Sequence, residues 1–161
     1  MGDFKYGVFM KLAIFVLVSL LSTVSFAFPI VPDPELTTGE LCTRDNPDYT
    51  EDRYNEHIPY CTRNVETRLK NQIYDKYGIP KECRYRYTID HFIPLSLGGD
   101  NAEANLWPEH RLVKATRQNL EEQLYNQLKR GQISQKAAVD LIYHAKTSLK
   151  HVETGSDHCD Q

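Results

Sequence analysis

The chain has 161 residues, a formal net charge of −3 at pH 7 and 40% hydrophobic residues. This length suits a single domain with a modest hydrophobic core. The slight acidity excludes a protein that binds nucleic acid through overall positive charge, so any such binding must depend on a local basic surface.

Residues 1–27 have the layout of a secretory signal peptide. Lys11 precedes the apolar run Leu12–Leu21, and Ser25-Phe26-Ala27 supplies small residues at the two positions that a signal peptidase reads. We expect cleavage after Ala27 and a secreted or periplasmic protein without a membrane segment. A transmembrane anchor is the alternative, but the run is about 10 residues, short of the ~20 that a span needs.

All four cysteines follow the signal segment, and an even number in an exported chain favours two disulfides. We favour Cys42 with Cys61, because they bracket one loop, which leaves Cys83 with Cys159. A structural zinc site is the alternative, although the chain has no Cys-x-x-Cys pair.

The segment after the signal is predicted to be an irregular arm over residues 28–60, tied down by a disulfide. Its first part, 28–40, holds three prolines and no hydrophobic periodicity, and residues 41–61 continue without regular structure. A helix then begins at Asn64, with Thr62 as the competing N-cap, and ends at Gly78. Its apolar face is formed by Val65, Leu69, Ile73 and Tyr77.

Residues 85–110 hold the most informative pattern. An alternating strand, Tyr85–Ile89, leads into Asp90-His91, and a second extended segment begins at Asn105 after the Gly98-Gly99 loop. Helical spacing follows from Val113 to Lys129, with Leu120, Leu124 and Leu128 buried. A third helix is capped by Ser134, with Ala137, Leu141, Ile142 and Ala145 inward, and a polar tail covers 153–161.

Three side chains in this pattern carry chemistry. Asp90 is a hard oxygen ligand suited to Mg²⁺. His91 can transfer a proton near neutral pH. The amide of Asn105 can fix the orientation of an imidazole or of the backbone.

The ordered motifs Tyr77-Gly78-Ile79-Pro80, Asp90-His91, Ile93-Pro94-Leu95, Gly98-Gly99 and Asn105-Leu106-Trp107-Pro108 resemble those of the HNH (ββα-metal) endonuclease family. The similarity is to small secreted or phage-type bacterial members, and it spans roughly residues 40–145. It implies an α+β fold in which a ββα-metal finger packs on additional helices, within a domain covering 61–152. It also implies that His91 is the general base, that Asp90 binds the metal, and that Asn105 bridges the loop and orients His91.

The third metal ligand departs from the family pattern, which places a histidine or asparagine early in the following helix. Here that position is Lys114, which cannot bind a metal while it is charged. We rank Gln118 first as the replacement, His110 second and Asn119 third. The expected cofactor is one divalent ion, Mg²⁺ in the first place, with Mn²⁺ and Zn²⁺ as alternatives.

Basic side chains near this segment are candidates for phosphate contacts, with ordinary surface charge as an equally good explanation for each. They are Arg86, Arg111, Lys114 and Arg117. Trp107 is interpreted as a core residue rather than a base-stacking platform.

The sequence therefore predicts a secreted metal-dependent endonuclease that hydrolyses phosphodiester bonds of DNA, and secondarily RNA, with low sequence specificity. The main alternative is a catalytically degenerate HNH-fold protein that binds nucleic acid or a protein partner without hydrolysis. A structural zinc domain is the second alternative. The sequence does not identify an immunity or inhibitor protein.

Overall fold

The computed structural model describes residues 28–153 and 157–160. The predicted signal peptide and its cleavage site lie outside these ranges. Within them, two antiparallel two-stranded hairpins combine with four α-helices, so the predicted α+β class is confirmed. None of the helices in the described part of the chain has the length and apolar character needed to cross a membrane.

The first hairpin lies where the sequence predicted an irregular arm. Strand β1 (Tyr49–Arg53) pairs with β2 (Ile58–Cys61), and the intervening turn holds Tyr54 and His57 at positive φ. Two-residue hairpin turns are usually recognised in a sequence by Asn-Gly or Asp-Gly pairs. This turn has four residues and neither pair, which explains why the sequence did not predict the hairpin.

Helix α1 (Thr67–Lys76) begins later than predicted. The Asn64 side chain does not cap it, because Nδ2 donates to Asp48 Oδ1 at 2.7 Å instead. Gly78 follows the helix with φ 67°, which confirms the predicted stop. Buried Ile73 packs α1 on the second hairpin.

The second hairpin is the expected pair of strands around the glycine loop. Strand β3 (Tyr87–His91) pairs with β4 (Leu106–His110), so that Asp90 lies opposite Trp107. β3 begins two residues later than predicted, because Lys81–Arg86 form a 3₁₀ turn anchored by disulfide-bonded Cys83. Asp90 and His91 are therefore the last residues of the strand and do not follow it.

The single helix predicted over 113–129 is wrong. The chain forms α2 (Arg111–Ala115) and α3 (Leu120–Lys129), separated by a turn in which Asn119 has φ 62°. Thr116 Oγ1 donates to Val113 O at 2.7 Å where α2 ends. Leu124 and Leu128 are buried as predicted, whereas Leu120 is only half-buried.

Helix α4 (Gln135–Thr147) begins at the predicted cap, since Ser134 Oγ accepts from Ala137 N at 3.2 Å. Its buried stripe is shifted from the prediction: Ala138, Ile142 and Lys146 are buried, while Leu141 is 51% exposed and Ala137 and Ala145 are half-buried. The stripe packs under the loop at Leu97. The charge of Lys146 made it an unlikely core residue by sequence.

The two disulfides join Cys42 to Cys61 and Cys83 to Cys159, the favoured pairing. The second holds the 3₁₀ turn His158–Asp160, in which Cys159 and Asp160 are buried, so this end of the polar tail is packed on the domain. Trp107 has no exposed surface, which confirms it as a core residue.

Candidate functional site

Asp90 and His91 point to opposite faces of β3. Successive residues of a strand alternate in this way, and the two side chains have separate partners. Lys114 Nζ donates to Asp90 Oδ2 at 3.1 Å, whereas His91 contacts Arg63 and Asn101. The carboxylate and the imidazole, adjacent in sequence, are therefore engaged by separate groups of side chains.

The contacts of His91 define its tautomer. Arg63 Nη1 lies 3.4 Å from Nδ1, and Asn101 Oδ1 lies 3.1 Å from Nε2. A guanidinium can only donate, so Nδ1 is the accepting nitrogen and Nε2–H donates to Asn101. The Asn101 amide is itself fixed, because Nδ2 donates to Asp48 Oδ2 and to Thr62 O, both at 2.8 Å.

Burial lowers the pKa of His91 below its usual value near 6.5. The hydrogen bond to Asn101 opposes this shift, while the positive charge of Arg63 adds to it. The imidazole is therefore neutral at pH 7, with its lone pair at Nδ1. Although His91 is only 3% exposed, Arg63 is an exposed residue, so the group covering Nδ1 belongs to the surface.

Neither Arg63 nor Asn101 was singled out by sequence. They lie 28 and 10 residues from His91, and the sequence around them does not indicate that they contact its ring. The available signals were the number of basic residues between Arg63 and Arg86 and the position of Asn101 just after the glycine loop.

Asn105 bridges the loop between the strands, as the resemblance implies. Its Oδ1 accepts from Ile93 N at 2.8 Å, and its Nδ2 donates to Ile93 O at 3.0 Å and Asp100 O at 2.9 Å. Its described bonds do not include the His91 ring. Asn105 thus fixes the loop that carries Asn101, the residue that contacts the His91 ring.

The other face of the hairpin carries a second buried carboxylate. Glu109 is 1% exposed and shares the Asp90 face, because Asp90 lies opposite Trp107 and Glu109 is two residues further along β4. Lys114 Nζ lies 3.1 Å from Asp90 Oδ2 and 3.8 Å from Glu109 Oε2, and Arg117 pairs with Glu109 Oε1. Glu109 was not predicted, since its relation to Asp90 depends on the strand register.

Burial pushes the pKa of Asp90 upward, but Lys146 and Lys114 outweigh burial and hold that pKa below its usual value. Lys146 is itself buried, and its Nζ donates to His91 O at 2.7 Å and to Glu121 Oε1 at 2.9 Å. The Asp90 carboxylate is therefore kept ionised by the ammonium groups near it.

The donor set on this face suits a hard divalent ion. Two carboxylate oxygens already converge on one positive charge, and the Lys114 side chain that supplies it is 53% exposed on a short helix. If Lys114 withdraws, Asp90 and Glu109 remain as oxygen ligands, and water and phosphate can complete the coordination of Mg²⁺.

Of the three residues ranked as the third ligand, His110 is turned away from Asp90, whereas Gln118 and Asn119 line the same cavity as Lys114 and Glu109. His110 lies on the opposite strand face, where Nε2 is 3.1 Å from Asp160 Oδ1 and Nδ1 accepts from Leu112 N at 3.3 Å. Both of its ring nitrogens are thus engaged. Gln118 and Asn119 are exposed in the turn between α2 and α3.

The four basic side chains proposed for phosphate contact do come together. All of them line one cavity of about 610 Å³ between the second hairpin and the helices that follow it. All four are paired with carboxylates: Arg86 with Asp157, Arg117 with Glu109, Lys114 with Asp90 and Arg111 with Asp160. The Arg111 side chain is 56% exposed, and its nitrogen lies 3.5 Å from Asp160 Oδ2.

One His/Cys group in the described ranges has the spacing of a metal site, formed by Cys83, His158 and Cys159. Its two sulfurs are joined in a disulfide, so no thiolate is offered to an ion. The zinc alternative is therefore not supported by these cysteines.

Comparison of the chain with protein-family models, curated proteins and solved structures found no match.

Proposed function

We propose that the protein hydrolyses phosphodiester bonds of nucleic acid, with DNA as the principal substrate and RNA as a second. The observation that carries this proposal is the state of His91: a neutral imidazole, fixed by Asn101, with its lone pair at Nδ1. A positioned base of this kind is what activation of water requires.

Arg63 is the residue that must move for the base to act. Its guanidinium covers Nδ1 at 3.4 Å while a second nitrogen donates to Ile89 O at 3.0 Å. A phosphate oxygen is a stronger acceptor for a guanidinium than a carbonyl. An incoming phosphodiester therefore draws Arg63 onto the substrate, and water takes its place at Nδ1.

Proton transfer then proceeds within this group. Water gives its proton to Nδ1 as its oxygen attacks phosphorus, and Asn101 Oδ1 stabilises the resulting imidazolium through Nε2–H. The leaving oxygen departs on the opposite side of phosphorus, because displacement is in line. The base and the group that neutralises the leaving oxygen can therefore lie on different faces of β3.

Asp90 and Glu109 would hold the divalent cation of the predicted mechanism, after Lys114 has withdrawn. Such a cation neutralises charge that develops on the leaving oxygen. The chain's own contribution is to keep Asp90 ionised and to hold both carboxylates on one strand face.

We place this activity in a secreted or periplasmic protein. The two disulfides indicate an oxidising compartment, and the apolar segment before Ala27 fits an export signal. Low sequence specificity is expected, because the side chains assigned to the substrate contact its phosphate. Phosphate contacts do not distinguish one base from another.

Plasmid digestion by the mature protein, with Mg²⁺, Mn²⁺, Zn²⁺ or a chelator, tests the proposal. His91→Ala should lower the rate at least about 100-fold, and Asp90→Asn should abolish the dependence on added metal. His144→Ala removes an exposed histidine from α4 and serves as the matched control. Full activity of the His91 variant would refute the assigned base.

A second candidate is a binding protein without hydrolytic activity. It is favoured by the fact that Lys114 fills the cation position and Arg63 covers Nδ1. This candidate requires retention of nucleic acid without cleavage under every metal condition, unchanged by His91→Ala. The same digestion, run beside a gel-shift assay, separates the two candidates.

A further inference from the structure

Three buried polar atoms without a hydrogen-bond partner in the described chain belong to residues that line the 610 Å³ cavity. They are Tyr87 Oη, Arg117 Nη1 and Arg86 Nε, the last of which lies 3.5 Å from the carboxylate of Asp160. Buried donors are nearly always paired in folded proteins, so each exception needs a cause. All three groups can donate, and their common neighbourhood therefore favours a ligand that accepts hydrogen bonds.

Arg117 is the strongest of these donors. Its side chain is only 10% exposed, and one terminal nitrogen pairs with Glu109 while the other has no described partner. A bound anion would stabilise this half-satisfied guanidinium, since a phosphate oxygen can accept from the remaining nitrogen.

The charges of the lining are largely neutralised by ion-pair partners. Arg86, Arg111 and Lys114 pair with Asp157, Asp160 and Asp90, Glu109 is held by Arg117, and Glu121 is held by Lys146. One phosphodiester unit, with a single negative charge, suits such a lining better than a polyphosphate does.

The mouth of the cavity offers an aromatic surface. Tyr85 is 66% exposed, with the guanidinium of Arg86 5.0 Å from its ring centre on one side. An exposed ring of this kind is a platform for a nucleobase. The volume lies within the range of about 300–1,000 Å³ that is usual for small-molecule sites.

We propose that this cavity binds one unpaired nucleotide of a single-stranded nucleic acid, with its phosphate at Arg117 and Arg111 and its base on Tyr85. The ligand class is a nucleoside monophosphate unit. This inference deepens the proposed function, because Lys114 both lines the cavity and contacts Asp90. A nucleotide bound here is a neighbour of the bond that is cleaved, so the favoured substrate is single-stranded.

Isothermal titration of the full chain with thymidine 5′-monophosphate, thymidine and inorganic phosphate tests the inference. The monophosphate should bind at least tenfold more tightly than either fragment. Tyr85→Ala should weaken it roughly 5- to 150-fold, the range of a lost base–aromatic stack. Tyr143→Ala, at a 50% exposed tyrosine outside the lining, should leave binding unchanged.

Two further variants keep the test independent of folding. Arg111→Gln changes an exposed side chain and should weaken the monophosphate but not thymidine. Glu109→Gln with Arg117→Gln removes the buried pair without leaving one charge alone, and thermal melting checks that it folds. Equal affinity for phosphate and the monophosphate, insensitive to Tyr85→Ala, would reduce the site to general anion binding and overturn the inference.

Failure of this inference can be distinguished from failure of the proposed function. Titrations with the His91→Ala variant measure nucleotide binding without cleavage. If the unmodified protein binds the nucleotide but does not hydrolyse nucleic acid, the nucleotide site is supported and the nuclease proposal is refuted. If it hydrolyses nucleic acid but does not bind the mononucleotide, the nuclease proposal is supported and the nucleotide site is refuted.

Discussion

Replacing both cysteines of the Cys83–Cys159 disulfide by alanine should destabilise the protein more than the same change at Cys42–Cys61. The two bonds close loops that differ in length, with sequence separations of 76 and 19 residues. The chain-entropy model gives a loss of about 4.5 kcal/mol for the longer loop and about 3.2 kcal/mol for the shorter one.

The Cys83–Cys159 disulfide also holds in place the contacts of Asp160, the residue that follows Cys159. Asp160 Oδ1 lies 3.1 Å from His110 Nε2 and 3.5 Å from Arg86 Nε, and its other oxygen lies 3.5 Å from Arg111 Nη2. Release of the tail leaves buried His110 without this acceptor. The measured difference between the two variants should therefore exceed the ~1.2 kcal/mol that the entropy model gives.

Equilibrium urea unfolding measures both losses, and fluorescence of the single, fully buried Trp107 reports the transition. Each double-alanine variant is compared with the unmodified protein at one temperature and pH. A loss at Cys42–Cys61 equal to or larger than the loss at Cys83–Cys159 would refute the reasoning. Four reactive thiols in the denatured, unreduced protein would contradict the pairing itself.

Three further outcomes are expected. The free energy of unfolding should fall as the pH drops from about 6.5 through the lowered pKa of His91, because in this range the unfolded state binds more protons than the folded state. A melting temperature that does not change between pH 7 and 5 would contradict this prediction. So would an equal dependence of melting temperature on pH in the His91→Gln variant. Asn105→Ala should cost about 2–5 kcal/mol, since it strips buried Ile93 N and neighbouring carbonyls of partners; a loss below 1 kcal/mol in urea unfolding would be too small for such groups. Gly99→Ala should destabilise the protein far more than Gly78→Ala. A Cβ at position 99 would lie 1.9 Å from Ile93 O, whereas a Cβ at position 78 meets nothing within 4 Å. Equal melting temperatures of the two variants would contradict this, because they would mean that the loop rearranges at little cost.

Features encoded by neighbouring residues were predictable from sequence. Gly78 ends a helix through its own backbone freedom, and Ser134 caps one through a bond three residues away. The order of strand, glycine loop and strand follows from local alternation and turn residues. These features need no knowledge of the rest of the chain.

The environment of the site depends on distant partners and was not predictable in the same way. Glu109 joins Asp90 only through the register of β3 and β4, and Arg63 reaches His91 from 28 residues away. Lys146 can be buried because its ammonium donates to acceptors on His91 and Glu121. These acceptors lie 55 and 25 residues away in the sequence. Periodicity along one helix carries no information about such partners.

The ammonium of Lys146 connects α4 to the strand that carries the proposed base. Its bond to the carbonyl of His91 ties α4 to the end of β3. A protein trimmed to the second hairpin and α2 would leave that carbonyl without its donor and the strand end unsupported. Under the proposed function, the smallest active fragment must therefore extend past residue 146, and shortening the chain from its C-terminal side should abolish the proposed activity before it removes any residue assigned to substrate contact.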